Sequence, residues 1–485
     1  MMLLFIAQRR CASTVSVLRG MHDVLPEESR ARRELESSFW SVVSRAGFSE
    51  ISTPLLESTP LFARTLGDET DIVTKEMYTF TSPRASSDAT VAAPTLTLRP
   101  EGTAGAVRAV LAAGLARGAM AARVAYAGPM FRHERPQRGR FRQFTQLGVE
   151  AVGGRGGGAA DDVESIEVAT TFLRTVLPPQ RILRLEINSL GGDTSAYADA
   201  LANFFSKHRG SLSEDSRARL ARRAPLRILD SKAAADAPII ALAPKICDFW
   251  SVHDARRFES VQAGLRALDI PFSVAPRLVR GLDYYSHTIF EFSVVSGVAG
   301  SGSAAEMLGT VLAGGRYDKL TALLGSREML PAFGWAAGLE RLLLLAKGAG
   351  DAAVPRPFTV AVLPIRAPRG STDIGSAKVD EDAVDDEMDR HAAILVSVFR
   401  AHLPSDAVAL RLPSASNIRR LLADAAALGA SAAVIVGGDE LARGVVRVKD
   451  MRTGAQNDVE LDVGALLSSA HTAAKKVTDA LRALC

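Results

Sequence analysis

An arginine-rich segment holds the densest group of chemically active side chains in the sequence. Residues 131–142 read FRHERPQRGRFR, with five arginines and one glutamate. The pattern is typical of two strands joined by a Pro-Gln-Arg-Gly turn, which would place arginines at the tip of a hairpin. A guanidinium group can pair with two phosphate oxygens at once. The segment therefore predicts a site for a nucleotide and a second, polyanionic substrate, and a solvated basic loop is the alternative interpretation.

The strand that follows carries an amide and a carboxylate on one face. With an alternation of period two, Gln146, Gly148 and Glu150 lie on one side of the strand, while Leu147 and Val149 lie on the other. A carboxylate on a covered face is costly unless it meets a cation or a hydrogen-bond donor. We predict the floor of a ligand pocket here, in which Gly148 leaves room for the ligand.

Polar side chains also mark the ends of three other predicted elements. Charged groups and phenols stand where aliphatic residues would suffice for packing, which favours a binding site. The first of the three segments is equally well explained as a helix cap. The segments are 98–103 with Glu101 and Thr103, 278–285 with Arg280, Tyr284 and Tyr285, and 334–342 with Arg341.

Composition and motifs exclude several classes of protein. The chain has 485 residues and a net charge of +4, from 58 basic and 54 acidic residues, so its overall charge says little about nucleic acid binding. Its apolar runs are too short to span a bilayer, so no membrane association is predicted. Three dispersed cysteines without a CxxC pair, scattered histidines, and the absence of HExxH, GxSxG and P-loop sequences predict no metal centre, no hydrolase site and a reducing compartment.

The texture of the sequence suggests two domains preceded by a targeting segment. Residues 1–18 contain arginines, serines and no acids, which is typical of a presequence for a mitochondrion or another organelle. A short untargeted extension is the alternative, and the sequence leaves open whether a product also serves the cytoplasm. The predicted units are residues 19–346 with a helical insertion at about 192–270, a linker at 347–357, and a small α/β domain at 358–485.

Two segments have compositions of their own. Residues 380–389 carry seven acids and no base, and predict a solvated loop. Residues 297–308 are small and glycine-rich, and predict a flexible insertion between strands.

Taken together, these segments resemble the class II aminoacyl-tRNA synthetases, and among them the histidyl-tRNA synthetase family of bacterial and organellar type. The likeness runs over nearly the whole chain from about Val17. Two signatures, at 280–285 and 313–318, resemble sequences specific to the histidine enzymes and discriminate better than the class motifs. Residues 50–62, 131–150 and 333–345 resemble the three class motifs. Residues 19–23 resemble the start of the family's sequences.

The resemblance implies a fold and a reaction. The fold would be an α+β catalytic domain, with an antiparallel sheet flanked by helices and a helical insertion, followed by a C-terminal α/β anticodon-binding domain. The reaction would activate L-histidine with ATP to histidyl-adenylate and pyrophosphate, and then transfer histidine to the 3' end of tRNA(His). The resemblance also implies Mg2+ as a cofactor and a homodimer paired partly through the first motif.

Residue by residue, the resemblance implies two groups of ligands. For ATP, it implies that Arg132 binds the α-phosphate and that Arg341 binds the distal phosphates. Arg140 would belong to the hairpin tip that becomes ordered over the nucleotide. Arg280 would contact both the carboxylate of histidine and the α-phosphate, where many class II enzymes use metal ions. The histidine site would comprise Glu101, Gly102, Thr103 and Gln146 around the α-amino group, and Glu150, Tyr284 and Tyr285 around the imidazole.

Other interpretations share this fold. A catalytically silent paralogue, such as a regulatory subunit of ATP phosphoribosyltransferase or a sensor of uncharged tRNA, would lose parts of the catalytic set. A threonyl-, prolyl- or glycyl-type synthetase would share Arg132 and Arg341 but has no use for the segment 280–285. Segments 297–308 and 380–389 depart from the family pattern, and we expect the acidic one to lie away from bound RNA because it repels phosphate.

Overall fold

A computed structural model describes most of the chain. The described residues are 16–67, 70, 72–81, 94–118, 120–134, 139–154, 157–179, 181–280, 282, 284–295, 309–347, 357–366, 381–405, 407–466 and 469–484. The chain divides into two compact units, Met1–Asp351 and Ala352–Cys485. Residues 1–15 of the predicted presequence, residues 82–93, the predicted hairpin tip (135–138) and the predicted glycine-rich insertion (297–308) lie outside the described residues.

The first unit alternates helices and strands along the chain. The helices are α1 Pro26–Arg45, α2 Thr59–Leu66, α3 Thr103–Ala112, α4 Ala159–Val176, α5 Ser195–Lys207, α6 Glu214–Ala221, α7 Ala237–Leu242, α8 Val252–Ala267, α9 Asp318–Leu323 and α10 Leu339–Lys347. The strands are β1 Ser49–Glu50, β2 Leu56–Ser58, β3 Tyr78–Thr81, β4 Thr95–Leu98, β5 Ala122–Phe131, β6 Gln143–Val152, β7 Ile182–Ser189, β8 Ser273–Val274, β9 Ser286–Val295, β10 Thr310–Arg316 and β11 Ala332–Gly338. Short π and 3-10 turns lie at Ile72–Glu76, Leu115–Arg117, Arg209–Ser211, Pro225–Asp230 and Ile246–Phe249.

A large sheet forms the centre of this unit. In the described part of the chain its strand order is β1-β5-β6-β11-β10-β9-β7-β8. The six inner strands are antiparallel, whereas the short edge strands β1 and β8 pair in parallel with their neighbours. Strands β2, β4 and β3 form a separate small sheet. The predicted antiparallel sheet flanked by helices is confirmed, with parallel pairing added at its two edges.

Helix α1 shows how the sequence pattern fixes this packing. Leu35, Phe39 and Val43 recur every four residues and are buried together against the sheet. The ring of Phe39 meets Phe172 of α4 and Trp335 of β11 edge-on, at centroid distances of 5.4 and 6.1 Å. Burial of each such side chain contributes roughly 1.5–3 kcal/mol.

Helices α5 to α8 occupy the stretch in which a helical insertion is predicted. A buried carboxylate, Asp236, organises it by accepting hydrogen bonds from the hydroxyls of Ser213, Ser216 and Ser231 at 2.6–2.7 Å. Burial acts to raise the pKa of Asp236, but these hydrogen bonds and the one from the backbone N–H of Ser213 outweigh it, and the pKa is lowered to about 2.

One strand boundary differs from the sequence prediction. The sequence of residues 278–295 predicts strand structure from Leu278, but β9 begins only at Ser286. Before it, Leu282, Tyr284 and Tyr285 line a cavity over the large sheet, and this packing overrides strand propensity.

The second unit is a small α/β domain. Its helices are α11 Glu381–His402, α12 Ile418–Ala427, α13 Gly438–Ala442, α14 Ala470–Ala473 and α15 Lys475–Arg482, and its strands are β12 Thr359–Ile365, β13 Val408–Arg411, β14 Ala432–Gly437, β15 Val445–Asp450 and β16 Gln456–Glu460. The sheet order is β13-β12-β14-β15-β16, with parallel pairing around β12 and antiparallel pairing beyond β14. Separate apolar clusters pack on its two faces.

The interpretation of residues 380–389 as a loop is wrong. The backbone of 381–389 forms the first turns of helix α11. Acidic side chains near a helix N-terminus are stabilised by the helix dipole, so a dense acidic run is compatible with this position. Asp389 is also tied down, because it accepts hydrogen bonds from Arg411 and Ser414 at 2.5 and 3.1 Å.

Among the described residues, no helix combines the length and apolar character needed to cross a bilayer.

Candidate active site

A cavity of about 550 Å3 opens over the central strands of the large sheet. It is bordered by the ends of β5 and β6, the residues before β9, and the junction between β11 and α10. Most of the predicted site residues line this cavity, hereafter the site cavity: Glu101, Thr103, Arg132, Arg140, Gln146, Arg280, Tyr284, Tyr285 and Arg341.

Arg132 is fixed at the end of β5. Its Nε donates to the carbonyl of Pro100 at 2.8 Å, and its guanidinium lies over the ring of Phe144 at 5.3 Å. Its terminal nitrogen is 3.8 Å from Glu134, which Arg140 also approaches at 3.4 Å. Two cations therefore share one carboxylate at the mouth of the cavity.

Arg341 lies in the first turn of α10, where β11 ends. Burial lowers its pKa to about 10, and the neighbouring positive charges of Arg140 and Arg132 contribute to the lowering. Its Nη1 donates to the backbone carbonyl of Thr310. Several guanidinium groups close together, one of them with a lowered pKa, are typical of an anion site.

Arg280 enters the cavity from the other side. Its Nη1 donates to Glu291 on β9, and its guanidinium lies 5.9 Å from the ring of Tyr285. Its Nε is buried and has no hydrogen-bond acceptor within the described residues. Burial acts to lower the pKa of Arg280, but the Glu291 carboxylate outweighs it, so the pKa is raised and the group stays charged.

Glu101 both caps a helix and lines the cavity. Its carboxylate accepts from the backbone N–H groups of Thr103 and Ala104 at 2.6 and 2.9 Å, in the first turn of α3. The cap interpretation and the site interpretation therefore hold together. Beside it, the N–H of Gly102 donates to the side-chain oxygen of Gln146 at 3.1 Å, which orients that amide.

Glu150 is fully buried, and its carboxylate is held by three hydroxyl groups. Thr103 donates to it at 2.7 Å, Tyr126 donates at 3.2 Å, and Tyr317 donates to its other oxygen. Burial raises the pKa of Glu150 to about 8, although these hydrogen bonds act against the rise. The carboxylate lies directly behind Gly334, where any side chain would overlap it.

The predicted use of Gly148 is wrong. The space beside it is filled by the ring of Tyr126, which would overlap a Cβ atom placed on either Gly148 or Gly102. Gly148 therefore makes room for a protein side chain that reaches Glu150, and not for a ligand. Gly102 likewise packs under that ring and does not line the site cavity.

Several contributors were missed by sequence reasoning. The tyrosines that hold Glu150 come from β5 and from the end of β10, which only the folded sheet brings together. Glu291 did leave a signal, because it is a charge between the buried Phe290 and Phe292 in one strand. Four polar residues of the insertion also line the site cavity: Arg219, Arg227, Asp230 and Lys232.

Comparisons with known proteins agree with this architecture. A model of the histidyl-tRNA synthetase family matches residues 20–342, and a model of the anticodon binding domain matches residues 380–465. The histidine–tRNA ligase of Rhodospirillum rubrum is 42% identical over 449 residues, covering 92% of this chain and 96% of the relative. That of Gluconacetobacter diazotrophicus is 39% identical over 458 residues, covering 93% and 97%. The crystal structure of apo Staphylococcus aureus histidyl-tRNA synthetase superimposes with a TM-score of 0.66 at 29% identity, covering 93% of this chain and 98% of that one.

The central sheet and these matches define the fold as that of a class II aminoacyl-tRNA synthetase. Its second unit contains an anticodon-binding domain. The chain belongs to the histidyl-tRNA synthetase family, whose reaction joins L-histidine to tRNA at the expense of ATP. The two relatives compared above are both named histidine–tRNA ligases, which favours this enzyme over the other interpretations of the fold.

Proposed function

We propose that the site cavity forms histidyl-adenylate from L-histidine and ATP and then passes histidine to the 3' end of tRNA(His). One observation carries this proposal: Arg132, Arg280 and Arg341, from three distant parts of the chain, line one cavity that also contains Tyr284 and Tyr285. A site with these groups suits a triphosphate beside an aromatic, hydrogen-bonding side chain.

The chemistry of adenylate formation fits the charges of this cavity. Attack of a carboxylate on the α-phosphate brings two anions together, and negative charge accumulates on the phosphate oxygens in the transition state. Fixed guanidinium groups stabilise that charge without reorganisation. Arg132 and Arg280 take the α-phosphate, Arg341 takes the distal phosphates, and Arg140 closes over the nucleotide. No nucleophilic side chain is required.

Histidine is recognised by hydrogen bonding around its two ends. Glu101, Thr103 and Gln146 hold the α-amino group, with Gly102 orienting Gln146. Glu150 and Tyr285 hold the imidazole, with Tyr284 in the same wall. An amino acid without an imidazole leaves these buried polar groups unpaired, which can discriminate by a factor of about 10⁴.

Magnesium enters with ATP in this proposal. Mg2+ is usually bound through substrate phosphates and one or two carboxylates, and Glu134 borders the site cavity. Within the described residues, no cluster of three or more carboxylate, histidine or cysteine side chains is arranged as a metal cage. The residues present fit a magnesium ion carried by the triphosphate.

We further propose that the enzyme acts as a homodimer that pairs partly through residues 50–62. Leu55 and Leu56 in this segment leave 43% and 48% of their surfaces exposed, which favours a covering partner. Light scattering at several protein concentrations tests this proposal. We expect the wild type to be a dimer and Leu56→Asp to shift it toward a monomer. A monomeric wild type would contradict the proposal.

We also propose that residues 1–18 direct the protein to a mitochondrion or another organelle. Their support is compositional, and the family match begins only after them, at residue 20. The compared relatives are bacterial. Fusion of residues 1–18 to a fluorescent protein tests the proposal, and a signal spread evenly through the cytoplasm would contradict it.

Amino-acid-dependent exchange of pyrophosphate into ATP tests the proposed function. The purified protein is assayed with each of the twenty amino acids in turn. Histidine is expected to support exchange at least about 10³-fold better than any other. If none of the amino acids supports exchange, or if another amino acid supports it better than histidine does, the proposal is overturned.

A further inference from the structure

Glu291 is an acid in a cavity built to hold a polyanion. It lies on β9 between Phe290 and Phe292, whose rings are buried in the core, while its own side chain borders the site cavity and is 19% exposed. An unpaired carboxylate would repel the phosphates of ATP. Its presence therefore requires a reason other than binding the nucleotide.

The contacts of Glu291 supply that reason. One oxygen accepts from Nη1 of Arg280, and the other accepts from the hydroxyl of Thr310 at 2.5 Å. Thr310 uses its backbone carbonyl to accept from Nη1 of Arg341. A continuous path of hydrogen bonds thus runs from Arg280 through Glu291 and Thr310 to Arg341.

The geometry leaves Arg280 able to bind a ligand while it is held. Glu291 holds Arg280 through Nη1, one of its two terminal nitrogens, while the side chain lines the site cavity. A long arginine side chain loses much rotamer freedom when it is held in one position, and a carboxylate partner supplies that restraint. The same pairing neutralises Glu291, so the acid does not repel the nucleotide strongly.

We propose that Glu291 is a positioning residue for adenylate formation. It holds Arg280 against the α-phosphate and, through Thr310, fixes the position of Arg280 relative to Arg341. This inference rests on the proposed function, because it gives Arg280 its role in that reaction. It assigns Glu291 to the arginine and not to a magnesium ion.

The test measures histidine-dependent pyrophosphate exchange in Glu291→Gln. We expect kcat to fall roughly 10- to 100-fold, because misplacement of a group by about 1 Å can cost that much. The KM for ATP should stay unchanged or decrease, because a negative charge near the triphosphate is removed. Glu186→Gln is the matched control: Glu186 is the cross-strand neighbour of Glu291, but it pairs with Arg184 at 2.8 Å and should leave exchange unchanged.

A double-variant comparison separates positioning from a general structural role. If Glu291 acts through Arg280, then Glu291→Gln should change kcat little in an Arg280→Ala background. Multiplicative losses in the double variant would overturn the proposal. The requirement for free Mg2+ should be the same in Glu291→Gln and in the wild type, and a marked increase would assign Glu291 to the metal instead.

Thr310 provides a second line of test if Glu291→Gln does not fold. Thr310→Val removes the hydroxyl but keeps the backbone carbonyl, and it should lower kcat in the same direction by less than Glu291→Gln does. Thr310→Ser keeps the hydroxyl and should recover most of that loss. Equal activity of the valine and serine variants would contradict the hydrogen-bond path. Absence of exchange in the wild type would instead defeat the proposed function itself.

Discussion

The hydroxyl of Tyr317 donates a hydrogen bond to the carboxylate of Glu150 across 167 positions of sequence, and both side chains are buried. The contact joins the second histidine-specific signature to the strand that forms the floor of the site. It places Tyr317 behind the proposed imidazole pocket, where it can orient Glu150 without touching the substrate.

Removal of the Tyr317 hydroxyl should weaken the binding of histidine but not that of ATP. In Tyr317→Phe we expect the KM for histidine to rise roughly 10- to 100-fold, because a buried carboxyl oxygen left without its hydrogen-bond donor costs about 1–3 kcal/mol. The KM for ATP should stay within about twofold, since Arg132, Arg280 and Arg341 are untouched. Steady-state exchange kinetics measure both constants.

The matched control for this variant is Tyr197→Phe. Tyr197 is also buried, and its hydroxyl donates to the carbonyl of Pro244 in the insertion, at 3.2 Å. It should leave both constants unchanged. Equal effects of the two substitutions, or a parallel rise in both KM values for Tyr317→Phe, would reduce Tyr317 to a structural residue.

The raised pKa of Glu150 predicts the pH dependence of histidine use. Between the imidazole pKa of about 6.5 and the Glu150 pKa of about 8, Glu150 holds a proton and free histidine is neutral, so the complex forms without net proton exchange. As pH rises above about 8 a proton must be taken up, and as it falls below about 6.5 one must be released. The kcat/KM for histidine should therefore decline on both sides.

Glu150→Gln checks the assignment of the upper limb. The variant should use histidine much less well while its KM for ATP changes little, and the decline above about pH 8 should disappear. Persistence of the same upper limb in the variant would show that another group titrates there. Equal weakening of histidine and ATP would indicate a structural role.

Arg341 should matter to the transition state more than to folding. Arg341→Ala is expected to lower kcat/KM for ATP at least about 100-fold, as loss of one charge-stabilising donor costs roughly 2.7–4 kcal/mol. Arg184→Ala, which removes a half-exposed arginine of β7, should leave the constant unchanged. If the two variants behave alike, Arg341 does not contact the triphosphate.

Asp236 should dominate the stability of the insertion. Asp236→Asn is expected to destabilise it by about 2–4 kcal/mol, because it weakens a set of hydrogen bonds to a buried charge. Its pKa is lowered from 3.8 to about 2, so its contribution is present above pH 3.8 and is lost as pH falls toward 2. Thermal unfolding followed by circular dichroism measures both effects. Asp199→Asn, on the exposed face of α5, should change little, and similar losses in the two variants would contradict the role of Asp236.

Local sequence patterns were enough to predict much of the fold and part of the site. The four-residue spacing of Leu35, Phe39 and Val43 is typical of a buried helix face, and alternation along β6 placed Gln146 and Glu150 on one face. Cross-strand register could not be predicted in this way. That is why the ring of Tyr126 beside Gly148, and the contact of Tyr317 with Glu150, emerged only from the folded sheet.

The charged residues in the sequence indicated where a side chain lies only when its binding partner could also be inferred. The acidic run 380–389 gave no sign of its helical backbone, because the same composition suits both a loop and a helix N-terminus. Glu291 was overlooked for a similar reason. Its significance depends on Arg280 and Thr310, and the hydrogen bonds to them exist only in the folded protein.

A crystal structure of the protein with histidine and a non-hydrolysable ATP analogue tests the central claim most directly. The account predicts that Arg132 and Arg280 both contact the α-phosphate, that Arg341 contacts the distal phosphates, and that the imidazole hydrogen-bonds to Glu150 and Tyr285. A triphosphate bound beyond the reach of Arg280, or an imidazole ring that lies away from Glu150, would contradict it.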